Sequence, residues 1–435
     1  MGSYSNQYME KKLAPHDVVA LIEDNAKIFV TCEPVTLLKE LKEQRARFHN
    51  LFLFAMMGMR SKVAQDLVLA PEWEGHLTCG SCFLGEAEVR DYKYGKVEHI
   101  SAHFSQFEGI VANHIKPGYL LANVSPMDDE GYFSLGYAPN GRVAVDIGTK
   151  VLLQVNENMP YIYSDYYKVH ISEVTALCES NTPLMEFFDP EPSEIDRMIA
   201  GHIVERIPNG ATIQLGIGGL PVALGTFLLD HKDLGIHTEM VSNTMTMLMK
   251  RGVVNNSKKK LCPGISVAAF VQGSKETTDF VHRNKNVQSK KLAWVNNPAI
   301  IAQNNDMISI NACLSVDLRG QVCSESLGFN TSGGSGGQLD FVKGARSAPG
   351  GKSFIAMHSV AEKKDGTRIS KIALTHPPGS VITTPRNDVH YLATEYGIAE
   401  MANRTARERT LALIAIAHPD FREQLTYEAK QHHLL

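Results

Sequence analysis

No run of about 18 consecutive apolar residues occurs in this 435-residue chain, so nothing in it reads as a membrane-spanning helix. Its first stretch, Met1-Gly-Ser-Tyr-Ser-Asn-Gln7, lacks the basic start and apolar centre of a secretory signal, and a cytoplasmic protein is expected. Charge of one sign is also scarce. The formal net charge of -4 is small for this length and supplies no global field to recruit nucleic acid or an anionic membrane, though it leaves room for a local positive patch. Cysteine is sparse too: seven residues, an odd number scattered over the chain, fit reduced intracellular thiols better than a disulfide framework. One pair, Cys79-Gly-Ser-Cys82, has the spacing of a redox or zinc motif. It has no second Cys or His pair at the usual distance, and with Leu77, Phe83 and Leu84 around it the pair reads as inert thiols on a strand entering a core, with no metal site expected.

What is present is ordinary for a globular protein, 43% hydrophobic and 21% charged residues. The length exceeds that at which a single core usually stops growing, which predicts two domains. Residues 14–24 read as a helix, 27–31 as a β-branched strand, and 35–45 as a helix with Leu37, Leu38 and Leu41 on one face. The apolar strand 51–56 follows, and further strands are expected at 77–84, 119–124 and 151–155. Continuous apolar strands alternating with amphipathic helices are the pattern of a parallel sheet covered on both faces, an α/β fold. The polar turns after the last two strands, 125–131 and 156–160, are either rim loops of a ligand site or plain connections.

Two prolines and the acids Asp189, Glu191 and Glu194 mark a break near 187–194. This divides the chain into 1–188 and 189–435. Ser193 is a suitable N-cap for a helix over 193–207 whose Ile195, Met198, Ile199 and Ile203 form one stripe. The α/β alternation then restarts with strand 212–216, a glycine turn, helix 220–230 and strand 237–242. Strands near 308–316, 353–360, 370–375 and 381–384 continue it, and a helix over 405–417 closes the fold. No residue-level repeat accompanies the tandem pattern.

Two glycine-rich runs and one acid stand out. Gln214-Leu-Gly-Ile-Gly-Gly-Leu-Pro221 passes from strand to helix, where glycines let backbone N–H groups approach a ligand and the helix N-terminus favours negative charge. Its spacing matches neither the dinucleotide fingerprint nor the phosphate-binding loop. Thr331-Ser-Gly-Gly-Ser-Gly-Gly-Gln338 holds four glycines in eight residues, so the chain there needs unusual dihedrals, close backbone approach, or only a flexible hairpin. A pair of amides aimed at an oxyanion is one such need. Glu239, in Gly235-Ile-His-Thr-Glu-Met240, is open to the roles of acid, base, nucleophile or surface glutamate. As a nucleophile toward an acyl group it would form an anhydride, useful where water is excluded and a thiol-bearing carrier stands ready. His237 shares its strand face and either orients it or is a satisfied core histidine. Lys258-Lys-Lys260 reads as a solvated turn, and Lys363-Lys364 as a solvated pair or a phosphate contact.

Ordered stretches along nearly the whole chain resemble the acetyl-CoA hydrolase/transferase family of acyl-CoA:carboxylate CoA-transferases, in the manner of 4-hydroxybutyrate and butyryl-CoA:acetate CoA-transferases. They are Asn123-Val-Ser-Pro-Met-Asp-Asp-Glu-Gly-Tyr-Phe-Ser-Leu-Gly136, Gln154-Val-Asn-Glu-Asn-Met-Pro160, the runs from Gln214 and Gly235, and Asp317-Leu-Arg-Gly-Gln-Val-Cys-Ser-Glu325. Gly336-Gly-Gln-Leu-Asp-Phe341, Thr384-Pro-Arg-Asn-Asp388, Thr394-Glu-Tyr-Gly-Ile-Ala399 and His418-Pro-Asp-Phe421 complete the set. The resemblance implies two tandem open α/β domains of the CoA-transferase fold with the active site between them. It implies Glu239 as a nucleophile that carries CoA as a glutamyl thioester, with Gly336 and Gly337 as catalytic partners and the Gly337 amide suited to the oxyanion role. Gln214, Leu215, Gly216, Ile217, Gly218, Leu314, Gly337 and Lys363 are its implied CoA contacts. Coenzyme A is then a substrate, with no separate cofactor or metal. Acyl-CoA and small carboxylates are the expected partners, with no nucleic acid or membrane, in a homodimer or homotetramer. An acyl-CoA hydrolase using the same glutamate is the rival, and a CoA-binding module without turnover a more distant one. The stretches 51–112 and 161–167 depart from the family pattern. Both lie in the first domain, so they leave open which acyl group is used.

Overall fold

The computed structural model describes residues 4–92 and 95–435, so Met1, Gly2 and Ser3 of the amino-terminal reading lie outside the described residues. The chain forms two compact units, Met1–Phe187 with Val267–Trp294, and Phe188–Ser266 with Val295–Leu435.

The first unit is built on seven strands: β1 (Lys27–Thr31), β2 (Leu51–Phe54), β3 (Leu77–Ser81), β4 (Val97–His99), β5 (Tyr119–Val124), β6 (Lys150–Val155) and β7 (Ala176–Glu179). They lie in the order β4-β3-β2-β1-β5-β6-β7, every neighbouring pair parallel. All six residues of β5 are buried, as a strand covered on both faces requires. Helix α1 (Val35–Glu43) buries Leu37, Leu38 and Leu41, the stripe that the sequence periodicity predicts. These leucines join Ile28, Val30, Leu53 and Leu121 in one core. The strand order reverses between β1 and β5, a topological switch point of the kind beside which open α/β sheets bind ligands. Cys79 and Cys82 are buried and free, and burial pushes the Cys82 thiol up to about 12, so neither is an accessible thiolate.

The second unit carries β8 (Thr212–Leu215), β9 (Gly235–Ile236), β10 (Met307–Ala312), β11 (Lys352–Ala356), β12 (Tyr391–Thr394) and β13 (Gly397–Glu400). Their order is β9-β8-β10-β11-β12-β13, parallel except for the antiparallel edge strand β13, with the switch point between β8 and β10. Ser193 caps helix α2 (Glu194–Val204) in a reciprocal box with Asp196, as its position predicts.

Several expected elements differ. The strand expected over 237–242 is broken: β9 stops at Ile236, His237 forms only an isolated bridge, and a strand resumes at Met240–Val241. The expected strand 353–360 ends at Ala356, before a separate hairpin of Val360–Glu362 with Arg368–Ser370. Residues 381–384 form no strand: Thr384 makes a single bridge to Val322. Two helices close the chain rather than one, Ala406–Ile416 and Pro419–Gln431. Proline has no N–H to continue a helix but suits the first position of a new one, and Pro419 takes that place. Truncating the fully buried Leu121 to alanine is expected to lower unfolding free energy by about 2–5 kcal/mol. Leu411→Ala, on an exposed face, should stay within about 0.5 kcal/mol in the same urea titration.

Candidate active site

In the second unit the carboxyl ends of the parallel strands deliver the functional candidates. Strand β9 ends three residues before Glu239, and a side chain from elsewhere in the chain meets its last carbonyl. Lys259, a member of the lysine run read as solvated, is instead buried, and its ammonium donates to the carbonyls of Ile236 at 2.7 Å and Ile265 at 2.6 Å. The end of β9 is thereby tied to the loop around Ile265, while the His237 N–H still donates to the Ile213 carbonyl of β8 at 3.3 Å. His237 is a core histidine: Nε2 lies 2.9 Å from the Val295 carbonyl and Nδ1 3.3 Å from the Asn304 amide. Burial lowers its pKa to about 4 and keeps the ring neutral. The chain bends at Glu239, which removes the shared strand face on which an orienting role for His237 was considered.

Glu239 is partly accessible. Asn296 Nδ2 donates to its Oε2 at 2.7 Å, and the Gly337 backbone N–H also donates to the carboxylate. Desolvation raises its pKa to about 7, helped by the charge of Asp340, while the bonds from Asn296 and Gly337 pull the other way. The carboxyl group therefore exchanges protons near neutrality and is a carboxylate above it.

The second glycine run divides its work. Gly333 and Gly336 sit at φ 85° and 54°, where glycine is favoured. Gly337 has ordinary dihedrals, φ -98° and ψ 9°, and its requirement is room. A Cβ there would fall 2.0 Å from Glu239 Oε2 and 2.2 Å from Asn296 Nδ2. Gly337 is also the N-cap of the helix Gln338–Ser347, whose first turn carries the buried Asp340.

The first glycine run leaves β8 and turns through Gly216, Ile217 and Gly218 into the helix Gly219–Phe227. Gly218, at φ 110°, is the helix N-cap. Gly216, Ile217 and Gly218 are exposed or partly so, whereas Leu215 is buried and the Gln214 side-chain carbonyl accepts from the Ile310 N–H at 3.2 Å and the Asn311 amide at 3.3 Å. Gln214 thus joins β8 to β10. Leu314 follows the carboxyl end of β10, on the other side of the switch point, its N–H donating to the Cys323 carbonyl at 2.9 Å. Lys363 is on the exposed tip of the hairpin that follows β11, its N–H bonded to the Thr367 carbonyl at 2.9 Å. The structure thus brings Glu239 and Gly337 together, sets Gly216, Gly218 and Leu314 along the same sheet edge, and leaves Lys363 on its hairpin. Asn296 was missed. It lies 57 positions from Glu239 and precedes the Asn297-Pro298 pair, which signals only a helix start.

Fold and site together define an α/β protein whose candidate chemistry rests on one desolvated glutamate at the carboxyl edge of a parallel sheet. The chain belongs to the acetyl-CoA hydrolase/transferase family, whose N-terminal domain matches residues 2–188 and C-terminal domain residues 273–429. It is 36% identical over 429 residues to the 4-hydroxybutyrate coenzyme A transferase of Clostridium kluyveri, covering 98% of each chain. It is likewise 36% identical over 439 residues to the butyryl-CoA:acetate CoA-transferase of Anaerostipes caccae, covering 99% of this chain and 98% of that one. Among solved structures, RipA of Yersinia pestis superimposes with a TM-score of 0.92 at 34% identity, covering 100% of both chains. The family resemblance read from the motifs therefore holds.

Asn296→Ala removes a hydrogen bond that favours the ionised form, so the Glu239 titration midpoint should move upward from about 7. Carbon-13 NMR of labelled glutamate carboxyls checks the direction, with Glu239→Gln assigning the signal.

Proposed function

We propose that the protein is a CoA-transferase, moving CoA between a short-chain acyl-CoA (4-hydroxybutyryl-, butyryl- or acetyl-CoA) and a carboxylate such as acetate, by ping-pong chemistry through Glu239. The observation that carries the reading is the Glu239 carboxyl itself: desolvated, titrating near 7, and met by two N–H donors. A partly desolvated carboxylate is a stronger nucleophile than a fully hydrated one, and both donors already meet the carboxylate on which charge would develop.

In the proposed cycle a Glu239 oxygen attacks the thioester carbonyl, the C–S bond breaks, and an acyl-glutamyl anhydride and CoA thiolate result. The thiolate attacks the glutamyl carbonyl, the anhydride C–O bond breaks, and the free acid leaves a glutamyl-CoA thioester. A second carboxylate runs the same steps backwards. At each tetrahedral stage on the glutamyl carbon, the Gly337 N–H and Asn296 Nδ2 would hold the oxyanion that they hold as a carboxylate oxygen in the free protein. Removing one such donor typically costs about 3–4 kcal/mol of barrier. The turn of Gly216 and Gly218, with Leu314 beside it, would receive CoA at the switch point of the sheet.

The chemistry fixes the pH sign. Below about pH 7 Glu239 is protonated and cannot attack, so single-turnover formation of the thioester should rise about tenfold per pH unit and level off above 7. Gly337→Ala places a methyl against the carboxylate and should lower turnover on the order of a hundredfold or more, in steady-state assays with acetyl-CoA and butyrate. The deciding measurement is mass spectrometry of protein mixed with acetyl-CoA, seeking a CoA-sized addition on the peptide holding Glu239. If none forms, and Glu239→Gln retains exchange activity, the reading is wrong. Loss of acyl-CoA that needs no acceptor acid would instead make the protein a hydrolase acting through the same glutamate.

A further inference from the structure

Gly337 keeps its N–H on Glu239 with no side chain by which to be held, because a Cβ there would fall 2.0 Å from Glu239 Oε2. The run before it is permissive as well. Gly333 and Gly336 adopt positive φ, and glycine loses more conformational freedom on ordering than any other residue. Whatever fixes the Gly337 N–H therefore acts through the residues on either side. Ser335 and Gln338 are the nearest that carry side chains, and both are bound.

Gln338 Nε2 donates to Thr384 Oγ1 at 3.2 Å. Ser335 Oγ donates to Glu325, 3.0 Å from Oε1 and 3.3 Å from Oε2, and Thr383 Oγ1 donates to the same Oε1 at 2.9 Å. The Glu325 carbonyl adds a further tie, accepting from the Ser332 N–H at 2.8 Å. Glu325 and the Thr383-Thr384 pair thus grip the glycine run on both sides of Gly336 and Gly337. Glu325 closes one of the stretches that carry the family resemblance and Thr384 opens another, and neither has a part in the proposed cycle.

The grip is itself anchored. The Val322 N–H donates to the Thr384 carbonyl at 3.1 Å, and the Thr383 and Thr384 N–H groups donate back to the Val322 carbonyl at 2.9 and 3.2 Å. Next to it, the Cys323 carbonyl accepts from the N–H of Leu314, which follows β10. Glu325 is buried, met by two hydroxyl donors and paired with no cation among the described residues. A buried carboxyl group in such a setting works as a hydrogen-bond acceptor of fixed geometry and not as a charge partner.

We infer that Glu325 is a positioning residue: by accepting from Ser335 and Thr383 it fixes the loop that holds the Gly337 N–H on the reactive carboxyl group of Glu239. Its consequence for turnover rests on the CoA-transferase reading; the placement of the N–H does not. Without the clip, the dihedral freedom of Gly333 and Gly336 lets the N–H drift from Glu239, and a misplacement of about 1 Å can cost on the order of a hundredfold in rate.

The test compares Glu325→Met, which removes the acceptor at similar length, Glu325→Gln, which keeps one carbonyl oxygen for both hydroxyls, and Ser335→Ala. The readouts are kcat and KM for exchange between acetyl-CoA and butyrate, and the Glu239 titration followed by carbon-13 NMR in the free protein. Glu325→Met should lower kcat by on the order of tenfold to a hundredfold with KM within about threefold of wild type, the pattern of a lost transition-state contact. Its Glu239 midpoint should rise from about 7, because the bond from Gly337 favours the ionised form. Ser335→Ala should move both readouts the same way, and adding it to Glu325→Met should change neither further. Glu325→Gln should return both to near wild type.

The titration needs no turnover, so a raised midpoint supports the inference even if no glutamyl thioester forms, in which case only the catalytic reading fails. Should Glu325→Met not fold, Ser335→Ala decides by the same readouts. Wild-type kcat and midpoint in Ser335→Ala, or a loss in Glu325→Gln as deep as in Glu325→Met, would overturn the inference. So would a fall in folding stability alone, which would make Glu325 an anchor of the fold and nothing more.

Discussion

The chemistry of the second unit depends on one electrostatic constraint: a glutamate drawn partly out of water must be met by hydrogen-bond donors, or it stays neutral. Glu239 has two, Asn296 Nδ2 and the Gly337 N–H, and one nearby opponent in Asp340. The net effect places its titration near neutrality instead of leaving it an ordinary surface acid. Gly337 meets this constraint sterically, since any side chain at that position would occupy the place of the carboxylate.

The sheet sets these groups in reach of one another. Parallel strands all end on the same edge, so the residues after β8, β9 and β10 gather there although those strands end as far apart in the chain as Leu215 and Ala312. Buried polar contacts fix the strand ends. Lys259 holds the last carbonyl of β9, and Gln214 joins β8 to β10. After β11 and β12 the pattern repeats, with Ser359 donating to the buried Glu395 through its N–H at 2.9 Å and its hydroxyl at 2.5 Å. A rigid edge of this kind suits a reaction in which one carboxyl group is attacked repeatedly from the same direction.

Much of the architecture was legible locally. The apolar strands 27–31 and 119–124, the leucine stripe of α1 and the Ser193 cap are short-range signals, and each forms where periodicity or capping chemistry places it. Short-range reasoning failed where a distant group intervened. The strand through Glu239 was expected to be continuous, but its pairing is interrupted where Lys259 and Asn304 reach into the segment from elsewhere in the chain. The lysine run read as solvated because three adjacent cations rarely bury one, and only the two carbonyls waiting for Lys259 make the exception.

The sequence by itself determined the α/β class, the family and the candidacy of Glu239 and the glycine run, because ordered motifs and periodicities are properties of the chain. Tertiary structure alone decided which glycine is needed for room and which for its dihedral angle. It decided that Asn296 is the carboxylate's partner and that Gln214 serves the sheet. The physical reason is the same throughout. Desolvation and hydrogen bonding depend on which groups lie within about 3 Å of one another, and for residues many positions apart that distance exists only once the chain has folded.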